Sequence, residues 1–115
     1  MCFILHGTET TLSVTDRDIA RGRRRSAGNC PTALAGRRLF PGMEVTVSPD
    51  RRRGRWIMRA RRPRRRRAEA VAIFSVSAGK RIAEYDAGEK MRPCRMRVLL
   101  RRAQRLSQFQ QMRAA

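Results

Sequence analysis

The sequence is poor in aromatic residues, histidine, lysine and acid. Aromatics make up 5% of 115 residues, so a core must be mostly aliphatic. His6 is the single histidine, which leaves little for imidazole acid–base chemistry. No apolar run approaches the ~18 residues of a membrane-spanning helix. Cys2, Cys30 and Cys94 are odd in number, widely spaced and contain no CxxC pair, which excludes a disulfide-stapled miniprotein. They read as reduced thiols in a cytoplasmic compartment. A closed zinc site would need all three with His6, and neither a metal nor another cofactor is expected. The segment Met1 to Leu5 is too short for a signal-peptide apolar region and has no basic lead-in. The length allows one small domain and excludes a multidomain enzyme.

What is abundant is arginine. The chain holds 28 Lys+Arg against 9 Asp+Glu, a formal charge of +19, and only Lys80 and Lys90 are lysine. A GC-rich genome favours arginine codons and accounts for part of that skew. The charge still has to be solvated or paired. It is also uneven. Residues 1–50 carry 7 basic and 5 acidic residues, whereas residues 51–115 carry 21 and 4. The densest stretch, Arg51 to Arg67, has 11 arginines and no acid. The partners this composition suggests are nucleic acid or a nucleoprotein, an acidic protein surface, or an anionic membrane surface.

Hydrophobic residues reach 41%, enough for a modest core. Weak alternation over Thr10 to Val14 predicts a short strand. Thr15 is an N-cap with Asp16 and Asp18 in the first turn, and Gly22 ends that helix. Arg23 to Gly28 is a basic loop. A second helix starts at Asn29-Cys30-Pro31, with Asn29 as the N-cap, and stops at Pro41-Gly42. Glu44 to Ser48 and Trp56 to Met58 form a hairpin. Arg61 to Arg67, broken by Pro63, is a loop. Ala68 to Asp86 fits either a helical stripe (Val71, Phe74, Ala78, Ile82, Tyr85) or a strand over Val71 to Val76 followed by a helix capped by Ser77. The second is favoured. Pro93 to Leu100 alternates as a last strand, with Cys94, Met96 and Val98 on one side and Arg95 and Arg97 on the other. The expectation is α+β: one small domain over 1–100, with two short N-terminal helices, a mainly antiparallel sheet of three to four strands, a later helix and an Arg-rich loop at 51–67. Residues 101–115 form a basic tail with weak helical amphipathicity.

Several of these segments resemble a group of small uncharacterised proteins of actinobacteria and their phages. The resemblance rests on Val14-Thr15-Asp16-Arg17-Asp18-Ile19-Ala20-Arg21-Gly22 and on Cys30-Pro31-Thr32-Ala33-Leu34-Ala35. It continues through Ala83-Glu84-Tyr85-Asp86-Ala87-Gly88-Glu89 and Arg92-Pro93-Cys94-Arg95-Met96-Arg97-Val98, and covers roughly residues 12–98. It implies a small α+β domain, a GC-rich source and a phage or prophage setting, and brings no activity with it. The Arg-rich insert at 51–67 and Cys94 depart from the pattern.

The sequence gives no case for an enzyme. Asp16 and Asp18 are explained by the helix dipole, and Glu84, Asp86 and Glu89 by neutralisation of nearby arginine. Cys30 near a helix N-terminus reads as a packing residue rather than an activated thiol. There is no phosphate-binding glycine loop, recognition helix, zinc finger or RNA-recognition signature. The candidate nucleic-acid contacts are Arg51, Arg52, Arg53, Arg55, Arg61, Arg62, Arg64, Arg65, Arg66 and Arg67, with Arg23, Arg24 and Arg25 before the second helix. Guanidinium forks grip phosphates bidentately and release counterions, so about eight contacts would give a log K against log[salt] slope near −7. Trp56 is a candidate for stacking on an unpaired base, or else part of the core. The leading expectation is a non-enzymatic binder of nucleic acid or nucleoprotein without strong sequence preference. The alternative is a phage-type anti-defence (anti-CRISPR-like) inhibitor or regulator, acting in the host cytoplasm on a host protein.

Overall fold

The computed structural model describes residues 5–103, with side chains over residues 7–101. The element order is β1 (Leu5–Val14), α1 (Asp16–Arg21), α2 (Pro31–Leu39), β2 (Glu44–Asp50), β3 (Arg55–Arg61), β4 (Ala70–Phe74), α3 (Val76–Asp86) and β5 (Cys94–Ala103). The fold is α+β, with one five-stranded antiparallel sheet in the order β1-β5-β4-β3-β2. That is one strand more than the largest number expected. Among the described residues no helix is long and apolar enough to cross a membrane.

Local chemistry sets the helix ends. Thr15 and Asp18 form a reciprocal capping box at the start of α1. The N-cap of α2 is Cys30, not Asn29: its Sγ accepts the Ala33 N–H at 3.4 Å, and Pro31 follows at the first helical position. The N-cap of α3 is Ser75, not Ser77. Pairing of β4 with β5 runs out at Phe74 and Val98, so the helix begins two residues earlier than Ser77 would allow.

All three helices lie on one face of the sheet. Helix α2 packs on both edge strands, β1 and β2, and α3 packs on β3, β4 and β5. The core between the layers is built from Leu12, Val14, Val45, Val47, Met58, Ala72, Phe74, Met96 and Val98, met by Ala33 and Ala35 of α2 and Ala78 and Ile82 of α3. Alanine is prominent because the layers approach closely. A Cβ on Gly36 would lie 2.5 Å from the Met58 Sδ and 2.9 Å from a Val45 methyl.

Two polar attachments hold the helices in place. Arg38 of α2 grips the buried Asp18 of α1 through Nη1–Oδ1 at 2.8 Å and Nη2–Oδ2 at 2.6 Å, and its Nη2 also donates to the Ser13 carbonyl of β1 at 2.9 Å. The second attachment involves the basic loop at 23–28. Arg24 donates to the carbonyls of Tyr85 and Glu89, and its guanidinium sits 4.3 Å from the Tyr85 ring centre. Arg25 donates its backbone N–H to Asp86 Oδ1 at 3.2 Å and its Nε to the Asp86 carbonyl at 3.3 Å. The last turn of α3 has no basic residue of its own. These two arginines supply the positive charge and donors that a helix C-terminus attracts.

Candidate nucleic-acid interface

Alternation along the strands leaves the other face of the sheet without a covering helix. In β3 the side chains of Trp56, Met58 and Ala60 point to the helices, so Arg55, Ile57, Arg59 and Arg61 share the open face. In β5 the helix side takes Met96 and Val98, and the open face takes Arg95, Arg97, Leu99 and Arg101. Strand β4 lies between them and presents only Val71 and Ile73.

Register turns these residues into a pattern. Arg59 of β3 is opposite Val71 of β4, which is opposite Arg101 of β5. The next row along is aliphatic, with Ile57, Ile73 and Leu99 opposite one another. The result is two arginine tracks, one on each strand: Arg59 and Arg101 stand on either side of neutral β4, while Arg95 and Arg97 lie beyond the last β4–β5 pair, Phe74 and Val98, beside Ser13 and Thr11 of β1. Alternate strands lie about 10 Å apart, twice the interstrand spacing. Ile57 is only 4% exposed although no helix covers it, and Arg55 and Arg59 flank it along the same face of β3. A groove of about 340 Å³ runs over this region, lined by Arg53, Arg55, Arg59 and Arg101 together with the carboxylates of Asp50 and Glu69, above Ile57 and Ile73.

Not every arginine on this face is unengaged. Arg61 pairs with Glu44 at 2.6 Å across the β2–β3 register, and Arg55 Nε lies 3.5 Å from Asp50 Oδ2. Arg53 reaches the same carboxylate at 3.5 Å. Burial alone would push the Asp50 carboxyl up. The hydrogen bonds and charge of Arg53, with the charge of Arg55, outweigh it and hold the group below its ordinary value. Arg55 Nε is buried and, by alignment, hydrogen-bonds to none of the described residues. Arg59, Arg95, Arg97 and Arg101 make no ion pair with a described carboxylate.

The structure divides the run from Arg51 to Arg67 into three parts. Arg51, Arg52 and Arg53 sit in the β2–β3 turn, with Gly54 at φ +63° closing it. Arg55, Arg59 and Arg61 lie on β3, so the stretch is not a single loop. Arg62, Arg64, Arg65, Arg66 and Arg67 occupy the β3–β4 connection and are exposed, with Arg62 paired to Glu69 at 3.1 Å. The turn and the connection lie at opposite ends of β3, so the basic stripe runs its whole length.

The remaining candidates separate from this surface. Arg24 and Arg25 serve the end of α3, and Arg23 is exposed beside them. Trp56 faces the helices, half-buried against the core, and a Cβ on Gly79 of α3 would meet its indole at 3.0 Å. It therefore lies on the opposite side of β3 from Arg55 and Arg59. Burial pushes the Cys30 thiol above its ordinary value, the direction opposite to that of an activated thiol. Glu89 is raised by hydrogen bonding to Glu84 and by that neighbour's charge, so those two carboxyls face each other rather than an arginine. No group of three metal-ligating side chains gathers among the described residues.

Arg59, Arg95, Arg97 and Arg101 are absent from the sequence-derived candidates. The signal for two of them was present, because Cys94, Met96 and Val98 alternate with Arg95 and Arg97. What the sequence lacked was the pairing that carries β5 on to Ala103 and brings Arg101 beside β4. Residues 101–103 are strand rather than tail, and the expected helical tail beyond 103 lies outside the described residues. Comparison of the chain with protein-family models, with curated proteins and with solved structures yields no match.

Proposed function

We propose that this protein is a non-enzymatic nucleic-acid-binding protein that grips the phosphate backbone without strong sequence preference. The observation that carries the reading is the pair of arginine tracks on the uncovered sheet face, continued by exposed arginines at both ends of β3. Guanidinium groups bind phosphate oxygens bidentately, and each neutralised phosphate releases condensed counterions. The four arginines without carboxylate partners supply that charge with no ion pair to break first. Among the described residues no asparagine or glutamine stands on this face, so bidentate readout of adenine is not offered there, whereas arginine serves phosphates and guanine edges alike.

The test is fluorescence anisotropy of nuclease-treated protein with labelled random oligonucleotides across a salt series. Two variants accompany the wild type. One replaces Arg59, Arg95, Arg97 and Arg101 with Gln, and the other replaces Arg61, Arg62 and Arg64 to Arg67 with Gln. Submicromolar binding is expected, with the slope in the first variant shallower by about 3 to 4, near 0.9 per lost duplex contact. Weak binding at physiological salt, or slopes unchanged in both variants, would sink the reading and direct the search to an acidic protein surface.

A further inference from the structure

Resting on that reading, we propose that the ligand is a duplex held across one of its grooves, rather than an unpaired strand. Two independent features of the open face point the same way.

The first is spacing. Arg59 of β3 and Arg101 of β5 are separated by β4, whose open-face residues Val71 and Ile73 carry no charge, and Arg95 and Arg97 continue the β5 track past the end of β4. Arg59 and Arg101 flank Val71 directly. The tracks are about 10 Å apart at the backbone. A single strand presents one line of phosphates. A duplex presents two lines across a groove of roughly 6 Å (minor) or 12 Å (major), and long flexible arginine side chains adjust over that range. Cation, neutral strip, cation on the protein thus complements phosphate, groove, phosphate on the ligand.

The second is that no described aromatic side chain forms a stacking platform on this face. Proteins that hold unpaired strands place aromatic rings under the bases. Every described aromatic side chain lies elsewhere: Phe40, Phe74 and Tyr85 are buried, and Trp56 faces α3. The aliphatic row of Ile57, Ile73 and Leu99 offers no ring to stack on. An unpaired strand would gain little there from its bases.

Three probes test this with the full chain: a random 20-base-pair DNA duplex, one of its strands alone, and an abasic version of that strand. At physiological salt the duplex should bind at least about tenfold more tightly than the strand. The abasic strand should bind within about twofold of the normal one, because bases contribute little without stacking. Replacing Arg95, Arg97 and Arg101 with Gln removes one track. It should bring duplex and strand affinities close together while thermal unfolding stays cooperative. A strand that binds as tightly as the duplex, a marked loss on removing its bases, or a duplex preference that survives loss of the β5 track would each overturn the inference while leaving nucleic-acid binding standing. Binding to none of the three probes would overturn both.

Discussion

The two faces of the sheet obey the same alternation and reach opposite chemistry. Toward the helices β3 presents Met58 and Ala60, both fully buried, whereas toward solvent it presents Arg55, Arg59 and Arg61 around one shielded isoleucine. Strand β5 repeats the division, with Met96 and Val98 inside and Arg95 and Arg97 outside. The covered face holds the fold together by close packing. The open face carries four arginines, Arg59, Arg95, Arg97 and Arg101, without a carboxylate partner among the described residues. Substitutions on the two faces should therefore separate stability from binding.

The largest effect is expected from carrying the open face's chemistry to the covered one. Ala72 is 0% exposed beneath α3, and Ala72→Arg would bury an unpaired charge there. The cost should exceed ~4 kcal/mol, a large part of a small domain's total stability, and thermal unfolding followed by circular dichroism should lose its cooperative transition. A normal transition in this variant would show that the helix layer is not tightly packed.

A smaller effect is expected for Gly36→Ala. Its new methyl would overlap both Met58 and Val45, and Val45 is too stiff to move aside. Overpacking of this kind costs about 1–3 kcal/mol, and each kcal/mol lowers Tm by roughly 4–8 °C in a domain of this size. An unchanged Tm would mean α2 can lift from the sheet.

Asp18 gives a third prediction with a defined pH sign. The Arg38 fork holds its carboxyl below the ordinary value, assisted by the Thr15 hydrogen bonds and opposed by burial. A depressed folded value stabilises the protein above the unfolded value, near 4, and that stabilisation fades as pH falls through the folded value. Asp18→Asn should cost about 1–2 kcal/mol at pH 6, discounted because the Arg38 side chain is 53% exposed. The Tm difference from wild type should shrink towards pH 3. A difference that does not change with pH would show that the charge is irrelevant and the loss only geometric.

Arg24→Ala removes the clamp on the end of α3 and should cost about 1 kcal/mol, seen as faster hydrogen exchange over the last turn of that helix. It should leave binding on the sheet face unchanged, which separates this arginine from the tracks. The smallest stability effect is expected for Arg59→Gln, within about 0.5 kcal/mol. The same substitution should make the salt dependence of duplex binding shallower by about 0.9. Loss of stability without loss of slope there would invert the comparison between the two faces.

Much of the architecture was legible because it depends on neighbours in the chain. The Thr15 cap, the stop at Pro41-Gly42 and the alternation in β1 and β5 all act over a few residues. The reading weakened where two local solutions were equivalent. Ser75 and Ser77 are both competent caps, and the choice fell to the point where β4 stops pairing. Asn29 is a better cap than cysteine in isolation, yet Cys30 occupies the position and its thiol is buried. The candidate surface was legible as charge but not as arrangement. Arg24 and Arg25 were legible as charge before the second helix, and only the fold shows that they also complete a helix 60 residues away, through hydrogen bonds at sequence separations of 61 and 65.

The Thr15 cap, the two-residue alternation of β1 and β5 and the excess of arginine are legible in the chain alone, because each follows from local sterics or from simple charge. Which arginines share a face is set by strand pairing between distant segments. The order β1-β5-β4-β3-β2 places the arginines of residues 55–61 one strand away from those of residues 95–101. That juxtaposition comes from burying Val71 and Ile73's own strand between two others, a choice made by packing the whole core beneath α2 and α3 and not by any short stretch of chain.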